Sequence, residues 1–240
     1  MKKIIAEIPA RYGSKRVKNK NLKLLCGKPL ISYAINAAKN SKLLSDIYIN
    51  TESDKIGYLA DKYGVKYYKR DYELAQDEIT SDHFNYDFMK NIDGDLIVMI
   101  NPVAPLVTSN DIDIMIKFYL ENDFDSLIPV REENLHAFYR NNTVNFNLKH
   151  PVSTFCESKP INFTVNKQLP MTQDIKPIQI CVWTVCIWNR DIFIKSFEKH
   201  NHAVFSGKVG LYNFPRKRAV KISTQEDFKL AESILNNIIK

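Results

Sequence analysis

The chain has 240 residues, 45% hydrophobic and 25% charged, with a formal net charge of +7; these are the proportions of an ordinary globular protein long enough for one compact core, and they exclude a disordered or fibrous chain. The positive balance raises the question of a nucleic-acid partner, but much of it is carried by single lysines, and the two dense patches, residues 11–23 and Pro215–Arg218, match no nucleic-acid-binding module, so none is expected. Cys26, Cys156, Cys181 and Cys186 contain no C-x-x-C pair and have no histidine at zinc-finger spacing, which points to reduced thiols in a cytoplasmic protein, and the apolar run before Arg11 is too short for a signal peptide or a membrane span.

KKIIAEI opens the chain as a buried strand. PLISYAINAAKNS reads as a helix with Pro29 in its first turn. DIYINT is a second strand, SDKIGYLADKYG a helix ending at Gly64, and VKYYKR a third strand. TSDHFNYDFMKNI is a helix capped by Thr80 or Ser81, and the unbroken apolar run DLIVMI is a strand covered on both faces. SNDIDIMIKFYLEN is a helix for which Ser109 is the expected cap, and DSLIPVR follows as a strand. This alternation predicts an α/β fold, a Rossmann-like, mostly parallel sheet with helices on both faces, in a single domain over residues 1–240.

Between residues 131 and 177 the alternation stops. The segment is rich in Asn, Pro and Lys, with short pieces such as FYRNN and TVNFNL, and reads as an inserted arm of the kind that meets a second subunit. IQICVWTVCIW, Ile178 to Trp188, returns as a buried strand; Trp183 and Trp188 are expected in the core or at a dimer seam. KVGLYNF and AVKIS precede a last helix. Thr224 with Asp227 forms its capping box, and Phe228, Ala231, Ile234, Leu235 and Ile238 form its apolar face.

The segment following the first strand, IPARYGSKRVKNKN, carries Arg11, Lys15, Arg16, Lys18 and Lys20. Ligands of open α/β sheets bind at the carboxyl ends of strands, and a cationic loop there suits a phosphate chain, with backbone N–H groups lining the anion and Arg and Lys neutralising it. The loop is neither G-x-x-x-x-G-K-[ST] nor G-x-G-x-x-G, since Gly13 and Gly27 stand alone. Other constellations have structural readings: Asp93-Gly94-Asp95 precedes its strand and reads as a tight turn, His83 as a helix residue, and His200 and His202 as surface.

Ala10-Arg11, Ser14-Lys15, Lys20-Asn21 and Gly27-Lys28-Pro29-Leu30 together resemble the opening of the CMP-acylneuraminate synthetase family, A-R-x-x-S-K-x-x-x-x-K-N followed by a G-K-P-L-type turn. The likeness continues through Arg70, Glu73, Leu74, Ala75, Asp77 and Ser81, through INPVAPLVTSNDID, and through KISTQEDFKLAESIL, and it is weakest across the arm. It implies a cytoplasmic, homodimeric cytidylyltransferase in which the hydroxyl of an acidic, nonulosonic sugar attacks the α-phosphate of CTP and pyrophosphate leaves. By that likeness Arg11, Lys15 and Lys20 contact the triphosphate and carry the catalysis, and Ala10, Ser14 and Asn21 complete the nucleotide site, Asn21 at the ribose. Arg70, Ala75 and Ser81 lie around the cytosine, and Asn101 faces the sugar; Gln168 and Gln173, on the arm, are further sugar contacts.

The chain departs from the pattern at four places. Asn101 replaces Gln and Val107 replaces Arg, and Lys221 and Ser223 stand where two aspartates hold a divalent cation. Three readings follow for the cation: Mg²⁺ held mainly by CTP phosphates and water, a positive charge supplied by Lys221 itself, or lost or altered activity. The functional alternatives are a CTP-dependent transferase for another acid, such as Kdo or a phosphonate, and a nucleotide-binding homologue without turnover.

Overall fold

The computed structural model describes residues 2–14, 16–140, 158–165 and 167–239. Lys15 and Cys156, and the arm residues 141–157, therefore lie outside the described residues, as does the side chain of Ile238. The chain divides into two compact units, residues 1–130 with 181–240, and residues 131–180.

The first unit is a mixed sheet built around β1 (Ile4–Pro9). On one side of β1 lie β4 (Asp46–Thr51) and then β5 (Lys66–Lys69), and on the other lie β6 (Leu96–Ile100), β11 (Val185–Asn189) and β7 (Ser126–Glu133), with β12 (Val209–Asn213) paired to β7. All these pairings are parallel except those of β11, which runs antiparallel to both β6 and β7. The central strands β1, β6 and β11 bury both faces, as their largely apolar runs require. Ile4, Ala6 and Ile8 of β1 and Leu96, Val98 and Ile100 of β6 pack with α1 (Ile31–Lys39), α2 (Asp54–Tyr63) and α4 (Ser109–Glu121). The alternate residues Ile5, Ile97 and Met99 face Phe88 and Met89 of α3 (Ser81–Asn91) and Phe193 of α5 (Arg190–His200). Trp188 joins that second layer, 1% exposed, and donates its Nε1–H to Val204 O at 2.9 Å.

Several local expectations are corrected. Pro29 does not begin a helix. Leu24–Leu25 (β2) and Lys28–Pro29 (β3) pair as a hairpin whose two-residue turn, Cys26-Gly27, has φ of 46° and 78°, and α1 starts only at Ile31. Ser109 is not the cap of α4. Thr108 is, because it has an acid three residues on: Asp111 N–H donates to Thr108 Oγ1 (3.2 Å) and Thr108 N–H to Asp111 Oδ2 (3.0 Å). The run from Ile178 to Trp188 is two strands, β10 (Ile178–Cys181) and β11, because Trp183 sits at φ 52° and turns the chain between them. The last helix, α6 (Gln225–Ile239), has the expected Thr224–Asp227 box and packs Phe228, Ala231 and Leu235 against Leu25, Leu30, Val103 and Ile222.

The turn at Asp93–Asp95 is structural: Asp95 Oδ2 accepts from Lys3 N (2.6 Å) and Asp93 pairs with Lys3 Nζ (3.0 Å). His83 bonds Thr80 Oγ1 (2.9 Å) and sets its ring edge against Phe197. In the second unit β8 (Phe138–Arg140) pairs antiparallel with β9 (Ser158–Pro160). There Asn162 Nδ2 donates to Leu135 O and Lys176 O, and Gln179 Nε2 to Glu132 Oε1. Among the described residues no helix is long and apolar enough to cross a membrane.

Candidate active site

The chain steps from β1 to β4 and β5 on one side, then crosses to β6 on the other. The strand order therefore reverses between β1 and β6, and the space beyond their carboxyl ends is where an open α/β sheet leaves room for a ligand. Two cavities lie there, of about 440 and 160 Å³, and they share Pro9, Arg11 and Asn101.

The larger cavity is built around Arg70 and the Phe84 ring. Arg70, 4% exposed at the end of β5, sets its guanidinium 5.1 Å from the centre of the Phe84 ring. Its Nη2 donates to Glu52 Oε2 at 3.2 Å, and Glu52 Oε1 accepts the N–H of Tyr12 (2.7 Å), so one carboxylate ties the base of the cavity to the cationic loop. Phe84 and Ser81 lie one helical turn apart on α3 and share a face. Leu74 to Asp77 forms a wall, and Arg11 Nη1 is held against it by Ala75 O (3.3 Å) and Asp77 Oδ1 (2.9 Å). Trp183 and Lys221 also line it.

The smaller cavity is lined by Arg11, Ser14, Arg16, Lys20 and Asn21. Asn21 is 5% exposed and donates Nδ2–H to Arg11 O at 3.0 Å, so it shapes the loop from inside. Lys20 Nζ donates to Ile222 O at 2.8 Å, joining the loop to the segment before α6. Burial, and then repulsion from Arg16, Lys221 and Arg11, lower the Lys20 ammonium from its usual range to about 8, with Asp227 opposing. Lys221 is lowered by burial and by Arg16. Cations that disfavour one another's charge are arranged for an anion to neutralise.

The structure thus brings together Arg11, Ser14, Lys20, Asn21, Arg70, Ala75, Ser81 and Asn101. Ala10 is apart from them: its methyl is fully buried and its N–H donates to Asn50 O (2.9 Å). Asn101 donates Nδ2–H to Trp183 O (3.0 Å) and accepts from Val103 N (3.3 Å), so its amide positions the wall of the cavity. Gln168 and Gln173 are exposed residues of the second unit. Val107, where the pattern has Arg, is a core residue, 6% exposed. Arg16, read only as one cation of the loop, lines the smaller cavity, and sequence reading missed Phe84 and Trp183 as lining residues of the larger. Phe84 was reachable from the three-residue spacing to Ser81, whereas nothing in the sequence signals the turn at Trp183.

The donor set does not fit a protein-held divalent cation. Lys221 presents an ammonium, which has no lone pair to give, and Ser223 offers its N–H to Asp227 Oδ2 at 2.8 Å. The same Asp227 oxygen also accepts from Thr224 N (2.8 Å). Among the described residues no three His, Cys, Asp or Glu side chains are grouped to bind a metal.

Comparison with known proteins agrees with this geometry. The cytidylyltransferase family model matches residues 5–238. The chain is 30% identical to the CMP-N,N'-diacetyllegionaminic acid synthase of Campylobacter jejuni, over 98% of this chain and 96% of that one. It is 29% identical to the post-translational flagellin modification protein B of Campylobacter coli over the same shares. It spans about half, 52%, of the N-acylneuraminate cytidylyltransferase of Streptococcus agalactiae serotype V, at 27% identity over 94% of this chain. The fold is that of a CMP:2-keto-3-deoxy-manno-octonic acid synthetase solved with CTP, with a TM-score of 0.69 at 13% identity over 98% of this chain and 99% of that one. Because the match runs from the first strand into the last helix, it embraces the whole unit around the cleft and not its cationic loop alone: the chain belongs to the cytidylyltransferase family and is a CTP-dependent nucleotidyltransferase.

Proposed function

We propose that the protein transfers CMP from CTP to the hydroxyl of an acidic, nonulosonic sugar. The observation that carries this reading is the pair of cavities at the β1/β6 reversal, one lined by Phe84 and Trp183 and one by Arg16 and Lys20, with Arg11 lining both. The cytosine lies in the larger cavity by Arg70, Phe84 and Ser81, and the phosphates pass Arg11 toward Lys20 and Arg16. The sugar oxygen forms a bond to the α-phosphorus, the α–β bridging P–O bond breaks, pyrophosphate leaves with its electron pair, and the hydroxyl proton is released. Such a reaction asks the protein for position and charge neutralisation more than for covalent help, which is what this set of residues provides. The full-length likeness to a CMP-legionaminic acid synthase supports an acidic acceptor, and the binding-only alternative is not favoured.

Incubating the protein with CTP, Mg²⁺ and acidic nine-carbon or eight-carbon sugars should release pyrophosphate stoichiometrically with a CMP-sugar. Neutral hexoses should release none. Tight CTP binding with no pyrophosphate from any acid would leave only the binding-protein alternative.

The second unit is the proposed homodimer contact. Its described residues expose Tyr139 (64%), Leu169 (58%) and Met171 (64%), an apolar set that a lone subunit leaves in water. Sedimentation velocity should give a dimer, and Leu169→Asp with Met171→Asp should shift it toward monomer. A wild-type protein sedimenting as a monomer at micromolar concentration would remove this role.

A further inference from the structure

Arg11, Arg16, Lys20 and Lys221 reach the cleft from two separate segments, the loop after β1 and the stretch before α6. The bond from Lys20 Nζ to Ile222 O fixes these segments together one residue away from Lys221. Among the described residues, none of Arg16, Lys20 and Lys221 is ion-paired to a carboxylate. Asp77 is engaged by Arg11, and Asp227 is held by the N–H groups of Ser223 and Thr224, just before α6. The cleft therefore holds more fixed positive charge than the acids among its described residues match, and Lys221 brings it an ammonium where a metal would need a carboxylate.

We propose that Lys221 takes over the charge-neutralising part that a protein-bound divalent cation would play, its ammonium donating directly to the phosphate oxygens of CTP beside Lys20 and Arg16. Lys221 is then a phosphate-binding residue, and any Mg²⁺ arrives and departs on the nucleotide without a ligand from the protein. An ammonium is a compact point charge with three donors, suited to a phosphate oxygen and unable to share a site with a metal ligand set. This inference rests on the cleft being the CTP site.

Calorimetry with CTP and with CMP, in EDTA and in Mg²⁺, tests it on four proteins: wild type, Lys221→Ala, Lys221→Arg and Lys221→Asp. Wild type should bind CTP in EDTA within about tenfold of its affinity in Mg²⁺, because the fixed cations already meet the phosphates. Lys221→Ala should lose about 10- to 100-fold for CTP in EDTA, the range of a charge-assisted hydrogen bond, with CMP affinity changed far less. Lys221→Arg should keep most of the CTP affinity, which a merely structural lysine would not explain. Lys221→Asp should bind CTP only when Mg²⁺ is present. Wild-type CTP binding that vanishes in EDTA overturns the proposal, and so does Lys221→Ala binding CTP like wild type. If wild type binds CTP under neither condition, the assignment of the cleft itself falls, and this proposal with it.

Discussion

Arg11→Ala should lower kcat/KM for CTP by about 100- to 1000-fold, the cost of removing one fixed donor from charge that develops on a transferring group. The position dictates the size of the effect. Arg11 lines both cavities, and the wall formed by Ala75 O and Asp77 Oδ1 fixes its guanidinium where they meet. Folding stability should fall by less than about 1 kcal/mol, because the Arg11–Asp77 pair is substantially exposed, at 38% and 44%, and solvent screens it. Arg11→Lys should recover only a small part of the activity: a single ammonium can meet the wall or the phosphate, but not both as a planar fork does. Steady-state kinetics separates two versions of the role. An equal fall in kcat and kcat/KM places the contact in the transition state, and a rise in KM alone places it in ground-state binding. Unchanged kinetics within twofold would mean that the triphosphate does not pass Arg11.

Charge and apolar periodicity made most of this fold and part of the site readable. A run such as DLIVMI needs cover on both faces, and a strand that feeds five cations within ten residues needs an anion. What escaped the sequence is what depends on backbone direction and on long-range burial. Nothing in VCIWN says that β11 runs against its neighbours, and no residue type announces that Trp183, which lines the cleft, adopts a left-handed conformation. Thr108 and Ser109 are chemically interchangeable caps, so the boundary was decided by Asp111, three residues beyond the first and only two beyond the second. Nothing in the sequence marks Glu7 and Asn50 as interior residues, and Arg70, expected at the cytosine, carries no sign of its depth, yet the three are 0%, 0% and 4% exposed. Burial of that kind is set by the neighbouring strands and by α3, which lie far away in the chain.

Glu7 is therefore the source of the largest expected change in stability. It stands on β1, directed into the layer between the sheet and α3, where burial pushes its carboxyl from 4.5 up to about 8. Asn50 Nδ2, donating at 2.6 Å, and the charge of Arg70 pull the other way, while Asp87 adds to the rise. In the unfolded chain the same carboxyl loses its proton near 4.5, so between that pH and about 8 the folded state holds a proton that the unfolded state lacks. Stability must then decline as the pH rises through this window. At about 1.4 kcal/mol for each tenfold, the whole span is bounded by about 5 kcal/mol. Glu7→Gln removes the titration and keeps the shape. Urea unfolding at pH 5 should find the two proteins within about 1 kcal/mol of each other, since both then bury a neutral group. At pH 8 the variant should be the more stable by several kcal/mol, approaching that bound. Parallel stability curves across the window would mean that Glu7 stays ionised inside the fold. Its charge would then have to be held by Arg70, whose Nε and Nη1 have no partner among the described protein atoms, and the base of the larger cavity would be an ion triad of Glu7, Arg70 and Glu52.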